Sequence, residues 1–427
     1  MTGVRRLGVV DEIFYREHTG GGTPVVMQGL ARVPHRVTPE DLADAYASLA
    51  GGPLSSGISR SRVPLARNWF HRDVIVSPLL VDDVANVVTW ADDCARTPLD
   101  VEKGPVWELR IGHVAGGGSI LSLVCAHAVA DGMSMLAAAA DALTSETRAP
   151  AIRTPTAGDD LRDAVTLARL VVGGVTRTAR QLIRAPRAQR TQLVAEMRAS
   201  RGSTQTAGNT TAVDPTWREA TTVIDIDAVA WDRATGAGSD ADLAVVLIAD
   251  LVTRVRGEPG PLDVFVPRVA RAGGVGANAV STDAVRLRGP EDWADPTAVH
   301  GCMLAGQSVG APADVPPEIL QLIGPRLSRR LVPEPGAADA MVSILGDVPA
   351  GLSSLGADGV AVRAMRPSST PAHASARRTT ADMWLIRSAD TVTLSVVAPD
   401  VTIRDRGVLD GLLAGVCAAR GLTVRRW

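Results

Sequence analysis

The sequence predicts an α/β protein of two similar subdomains, and three observations point there. A strand, a tight loop and a helix succeed one another around residues 119–143, both halves mix strand and helix patterns in the same proportion, and a polar stretch from about Thr144 to Pro215 separates them. With 427 residues, 46% of them hydrophobic, the chain can bury one or two sizeable cores. The expected division is an N-terminal subdomain at 1–155, a helical linker with a mobile loop at 156–215, and a C-terminal subdomain at 216–427.

Thr38-Pro39-Glu40-Asp41 supplies a cap, a proline at the first helical position and acids in the first turn; Leu42, Ala45 and Leu49 then repeat at helical spacing, so a helix is expected from there. Val81, Val84, Val87, Val88 and Ala91 carry another pattern of threes and fours. In PVWELRIGHV, Trp107, Leu109 and Ile111 alternate with Glu108, Arg110 and Gly112; an Ala-Gly-Gly-Gly turn and the apolar run Ser119 to Cys125 complete a β-hairpin. HAVADG, His127 to Gly132, follows at once, and then MSMLAAAADAL, rich in helix formers.

Residues 161–170 and 175–197 carry two modest helical patterns, and 202–214 has almost nothing to bury and reads as a loop. A strand is expected at 220–226. Ser239-Asp240-Ala241-Asp242 resembles a capping box and opens an apolar helix that reaches Arg256 and stops at Gly257. Strands follow at 262–266 and 279–287, then a helix from Pro316 to Leu331 kinked at Pro325, the segment MVSILGDVP, strands near 360–364, 383–386 and 392–397, and a closing helix at 408–420.

The 44 Lys plus Arg nearly cancel the 46 Asp plus Glu, leaving a net charge of −2, and aromatic residues make up only 3%. Neither a phosphate-attracting field nor a base-stacking surface is present, so nucleic acid is excluded as a partner. Lys103 is the single lysine, an arginine bias that belongs to the background composition. No apolar stretch follows the N-terminal arginines and no segment reaches about 18 uncharged apolar residues, so a cytoplasmic monomer without a transmembrane segment is expected. Cys94, Cys125, Cys302 and Cys417 form no C-x-x-C pair, which leaves no zinc site and no redox dithiol to expect.

A histidine four residues before Asp131-Gly132, at the exit of a buried strand, suits base chemistry, because an imidazole titrates near neutral pH and can take a proton from an alcohol or amine. Residue types alone leave open a histidine that merely anchors its loop. Cys125 stands on the same strand face, but about 6 to 7 Å of strand rise separates it from His127, too far for a thiol and its base to share a hydrogen bond. Arg177, Arg180, Arg184, Arg187 and Arg190 form one helical stripe, either a solvated face or a grip for phosphate or an acidic carrier. His373 lies in RPSSTPAHASARR, read as a mobile loop.

CAHAVADGMSM resembles the HHxxxDG segment of the condensation-domain superfamily, which includes chloramphenicol acetyltransferase, nonribosomal peptide condensation domains, polyketide-associated acyltransferases and the wax ester synthase/diacylglycerol acyltransferase group. SDADLAVVLIADLVTRV, FVPRVARAGGVGAN and MVSILGDVP are similar, in the same order, to the opening helix of the second subdomain, the VPvsxR segment and the vSNxGxxp segment. Ala126 stands where the family has its first histidine, and Ile344 where it has asparagine.

The resemblance implies two chloramphenicol-acetyltransferase-like subdomains in a V-shaped pseudo-dimer with a channel between them. It implies His127 as general base, Asp131 as a structural residue paired with Arg271 (Arg268 being a nearby competitor), Gly132 leaving room beside the histidine, and Ser343 lining the channel. The chemistry it implies is direct acyl transfer from a coenzyme A or phosphopantetheine thioester, with no metal, no resident cofactor and no covalent acyl-enzyme. The expected product is an ester, formed on a small-molecule or lipid hydroxyl in secondary metabolism or lipid assembly, with an acyl carrier protein as a possible donor. A freestanding amide-forming condensation enzyme and a non-catalytic condensation-like binding protein are the alternatives.

Overall fold

A computed structural model describes residues 3–20, 23–144, 152–184, 217–269, 280–309, 317–323 and 338–427. From the N-terminus run α1 (Val9–Thr19), β1 (Val26–Val33), α2 (Ala43–Gly51), β2 (Gly57–Ser59), β3 (Trp69–His71), β4 (Leu80–Val84), α3 (Val87–Cys94), β5 (Trp107–Val114), β6 (Ser119–Ala126), α4 (Gly132–Leu143) and α5 (Ala157–Arg184). The second half forms β7 (Ala220–Asp227), α6 (Ala228–Thr235), α7 (Asp240–Arg256), β8 (Leu262–Val269), β9 (Val280–Leu287), α8 (Pro296–Ala305), β10 (Gln307–Val309) and a single turn α9 (Ile319–Leu322). It closes with β11 (Ala340–Asp347), β12 (Gly359–Met365), α10 (Pro371–Ser375), β13 (Ala381–Arg387), β14 (Thr391–Ala398), α11 (Arg406–Ala419) and β15 (Val424–Arg426).

Two large sheets organise these elements, and β2 and β3 pair apart from them. The first has the order β12-β1-β6-β5-β4, and the second β10-β9-β8-β11-β13-β14-β7-β15. Thus β12, from the second half of the chain, completes the sheet of the first, pairing antiparallel with β1 from Val26↔Met365 to Arg32↔Gly359. Each sheet has its own apolar core, and a smaller cluster of Leu30, Val84, Ala91, Ile120, Val223 and Ala361 joins the two.

A buried polar network lies beside that junction. Arg363 on β12 is fully buried, donates through Nε to Gln28 Oε1 at 2.8 Å and pairs with Asp92 of α3 at 2.8 Å. Thr221 of β7 and Arg406 of α11 donate to the same carboxylate at 2.7 and 2.9 Å. Burial lowers the pKa of Arg363 from the ordinary arginine value, and Asp92 opposes that shift. An arginine so enclosed needs its counter-charge, because an unpaired ion in a low-dielectric interior is strongly unfavourable. Asp92 therefore binds together elements of both halves.

The hairpin forms as its alternation predicts, with β5 and β6 antiparallel from Trp107↔Cys125 to His113↔Ser119. The capping box at Ser239 and Asp242 is present, and α7 ends on Gly257 at φ 79°. Elsewhere the pattern misleads. Thr38 and Asp41 do bond each other at 2.8 Å, but they close a turn, and the helix starts only at Ala43. The apparent helix from Val81 to Ala91 is a strand followed by a helix: β4 pairs parallel with β5, and Asn86 caps α3 by accepting from the Thr89 amide at 2.9 Å. The helical patterns at 161–170 and 175–184 are one helix, α5; the pattern from 185 on, the loop at 202–214 and most of the helix expected at 316–331 lie outside the described residues. The segment Arg366–Arg378, expected to be mobile, carries α10 and ends on Arg378, which binds Asp339 and Asp263 at 2.6 and 3.0 Å.

Candidate active site

Every residue of β6 is buried, and the strand delivers its C-terminal end between β1 and β5, where the Ala126 amide donates to Val106 O at 3.0 Å. Ala126 packs in the N-terminal core, and His127 opens the turn that follows the strand. The His127 amide donates to Val25 O at 3.0 Å, so the backbone of the histidine is the last rung of the sheet. Its side chain is half-buried and stacks on Phe14 of α1, with ring centroids 3.7 Å apart and planes 12° from parallel.

After a turn closed by Val129 N donating to Ala126 O at 2.9 Å, Asp131 stands at the N-cap of α4. Its carboxylate accepts from the Ser134 amide at 2.7 Å, which meets one of the amides the first helical turn leaves unpaired. The expected partner, Arg271, and the side chain of its competitor, Arg268, lie outside the described residues. Gly132 is the point where α4 meets three strands: a Cβ there would stand 3.2 Å from Met27 Cε, 3.2 Å from a Val362 methyl and 3.4 Å from a Leu345 methyl. Its missing side chain admits these neighbours.

Ser343, on β11 opposite Trp384 of β13, is half-exposed, and its hydroxyl forms no hydrogen bond among the described residues. After it, Ile344 packs against the C-terminal core and Leu345 against the N-terminal one. The register of β11 then shifts as Gly346 takes φ 76°, a left-handed conformation that favours glycine. Cys125 is fully buried, and burial, reinforced by Asp131, pushes its thiol pKa well up. That thiol stays protonated near neutral pH, which removes it as a nucleophile. Arg177 and Arg180 are exposed on α5; Arg187, Arg190 and the side chain of Arg184 lie outside the described residues, and His373 is exposed on α10.

Two features, one at the site and one at the same end of the sheet, have no counterpart in the sequence reading. The first is α1 with Phe14; the acids Asp11 and Glu12 in its first turn, with Val9, Val10, Ile13 and Phe14 at helical spacing, were the available signal. The second is a buried ionisable cluster of Glu219, Arg366, Arg377 and Asp382. Arg366 follows Met365, which pairs with Val26, the residue next to the one that accepts the His127 amide, so the cluster begins at the same end of the sheet. Burial raises the carboxyl pKa values of Glu219 and Asp382, against the pull of the two arginines, and lowers Arg377 to about 10. Charges so far apart in sequence leave no local pattern.

No group of side chains that could hold a metal ion occurs among the described residues, and no described helix is long and apolar enough to cross a membrane.

No protein-family model and no curated protein matches the chain. Solved structures do match. The first condensation domain of the calcium-dependent antibiotic synthetase, in complex with a substrate analogue, aligns with a TM-score of 0.57 at 15% identity over 98% of this chain and 97% of that one. The condensation domain of the Monacolin K polyketide synthase aligns with a TM-score of 0.54 at 11% identity over 98% and 97%. The epimerization domain from the third module of tyrocidine synthetase B aligns at 0.50 and 14% over 99% and 98%.

The architecture is therefore that of condensation domains, two pseudo-symmetric subdomains in a V with a channel between them. The same finding corrects the expectation of ester formation from an acyl-CoA. The three solved chains are condensation and epimerization domains, two from synthetases and one from a polyketide synthase, and the amide-forming alternative accords with them better.

Proposed function

We propose that this chain is a condensation enzyme that joins an acyl group, held as a phosphopantetheine thioester on a carrier protein, to an amine. The observation that carries the reading is His127: a half-buried imidazole at the end of a buried strand, pinned through its amide to Val25 and held on one face by Phe14. In this reading His127 takes the proton from the amine as nitrogen attacks the thioester carbonyl. The C–N bond forms, the C–S bond breaks, and the proton passes to the departing thiolate. Asp131 serves by fixing the start of α4, and so the loop that presents the imidazole, rather than by touching substrate. Ser343 stands as a channel-lining residue.

The test is incubation with acyl-pantetheine or acyl-carrier donors and a panel of amines, read by mass. Amide formation by the wild type that is lost in a folded His127→Ala variant supports the reading, and equal product from both refutes it. The close cover of Phe14 on the imidazole favours one second reading, a non-catalytic binding protein; absence of product with every donor would select it.

A further inference from the structure

A cavity of about 500 Å³ opens in the second subdomain between the start of α7, the end of β11 and one side of α8. Its walls include Ser239, Asp242, His300, Met303, Ile344 and Leu345. Asp242 is fully buried, and its two oxygens differ. Oδ2 accepts from the Ser239 amide at 2.7 Å and the Ser239 hydroxyl at 2.8 Å, and His300 Nδ1 lies 3.1 Å away. Oδ1 is equally shielded and meets no donor among the described residues. Buried carboxylate oxygens almost always have hydrogen-bond partners, so one left bare in a residue that lines a cavity points to a missing ligand.

The chemistry of that ligand follows from what the wall offers. With Nδ1–H of His300 donating to Asp242, the other ring nitrogen carries a lone pair and is an acceptor. Among the described residues no lysine or arginine lines the cavity. An anion is disfavoured even though a helix begins here, because Asp240 and Asp242 neutralise the positive end of α7 and the capping box already uses the cap amides. Two acceptors and a negative charge call for a cationic donor. Met303, Ile344 and Leu345 offer apolar contact to the methylenes behind it. Leu345 also lies beside Gly132, the first residue of the helix that follows the His127 loop.

We propose that this cavity binds the primary ammonium end of an aminoalkyl substrate, with Asp242 Oδ1 as its counter-ion. As the distal subsite of an amine acceptor it rests on the amide-forming reading; as a binding site it does not.

Calorimetric titration with cadaverine, pentylamine, pentanol and pentanoate tests it without turnover. Saturable binding of the two amines and neither of the others is expected, unchanged in His127→Ala. Asp242→Asn, which keeps a capping side chain, should weaken amine binding at least about tenfold. Met303→Trp, which fills the cavity without touching the cap, should abolish it. No saturable amine binding by the wild type, or undiminished binding in either cavity variant, overturns the proposal. Amine binding without amide formation sinks the catalytic reading and leaves the site standing.

Discussion

Phe14 lies flat against the imidazole of His127, 3.7 Å between ring centres, although α1 and the histidine loop are separated by more than a hundred residues of sequence. Such stacking is worth about 1 kcal/mol beyond the area it buries. It limits rotation of the imidazole, which a proton transfer needs in one orientation. Phe14→Leu keeps apolar cover but loses the ring. We expect a fall in kcat of about fivefold with KM unchanged, the rate equivalent of that energy. Initial rates across amine concentrations check it, and an unchanged kcat would mean that the ring merely packs.

Asp131 accepts from the Ser134 amide, so its loss should be that of a helix cap. Asp131→Ala should cost about 1 kcal/mol, and Asp131→Asn, whose amide oxygen can cap equally, only a few tenths. Thermal midpoints separate the two; roughly 2 °C lies between them if capping is the main role. Equal losses would point to the negative charge instead.

The Arg363–Asp92 pair predicts strong non-additivity. Asp92→Ala strands a fully buried guanidinium and should destabilise by about 3 to 5 kcal/mol. Adding Arg363→Met removes the stranded charge, and the double variant should be more stable than Asp92→Ala alone. Denaturant titration measures both, and simple addition of the single effects would contradict the coupling.

Glu219 gives a pH signature. Burial raises its folded pKa above the ordinary 4.5, so the folded state holds that proton more tightly than the unfolded chain does. The site then favours folding below the unfolded value, and this contribution is lost as pH rises through the folded one. Glu219→Gln never ionises. Its thermal midpoint should exceed that of the wild type at about pH 7 and converge on it near pH 4; a constant gap would exclude titration as the cause.

What could be read from the sequence depended on how local the cause was. The hairpin of β5 and β6 and the start of α7 follow from alternation and a four-residue box, and both form. His127, Asp131 and Gly132 were legible because strand, loop and helix are contiguous there. The run from Val81 to Ala91 misled because Asn86 caps a helix in the middle of what looks like one period. The surroundings of the histidine were illegible for another reason: Phe14 reaches it through packing between distant segments, and Glu219 and Arg366 are likewise brought together from distant parts of the chain. Residues 360–364 read as a strand, but nothing in them says which sheet takes it.

That destination has a consequence for biogenesis. Because Met365 and its neighbours zip onto Val26 and its neighbours, the first subdomain emerges from the ribosome with the flank of β1 unsatisfied until more than three hundred further residues have been made. A bare flank of this kind invites pairing with a foreign chain, and closing so long a loop is slow. The two lobes are thus spliced into one cooperative unit, and expressing the first alone should give insoluble material rather than a working half.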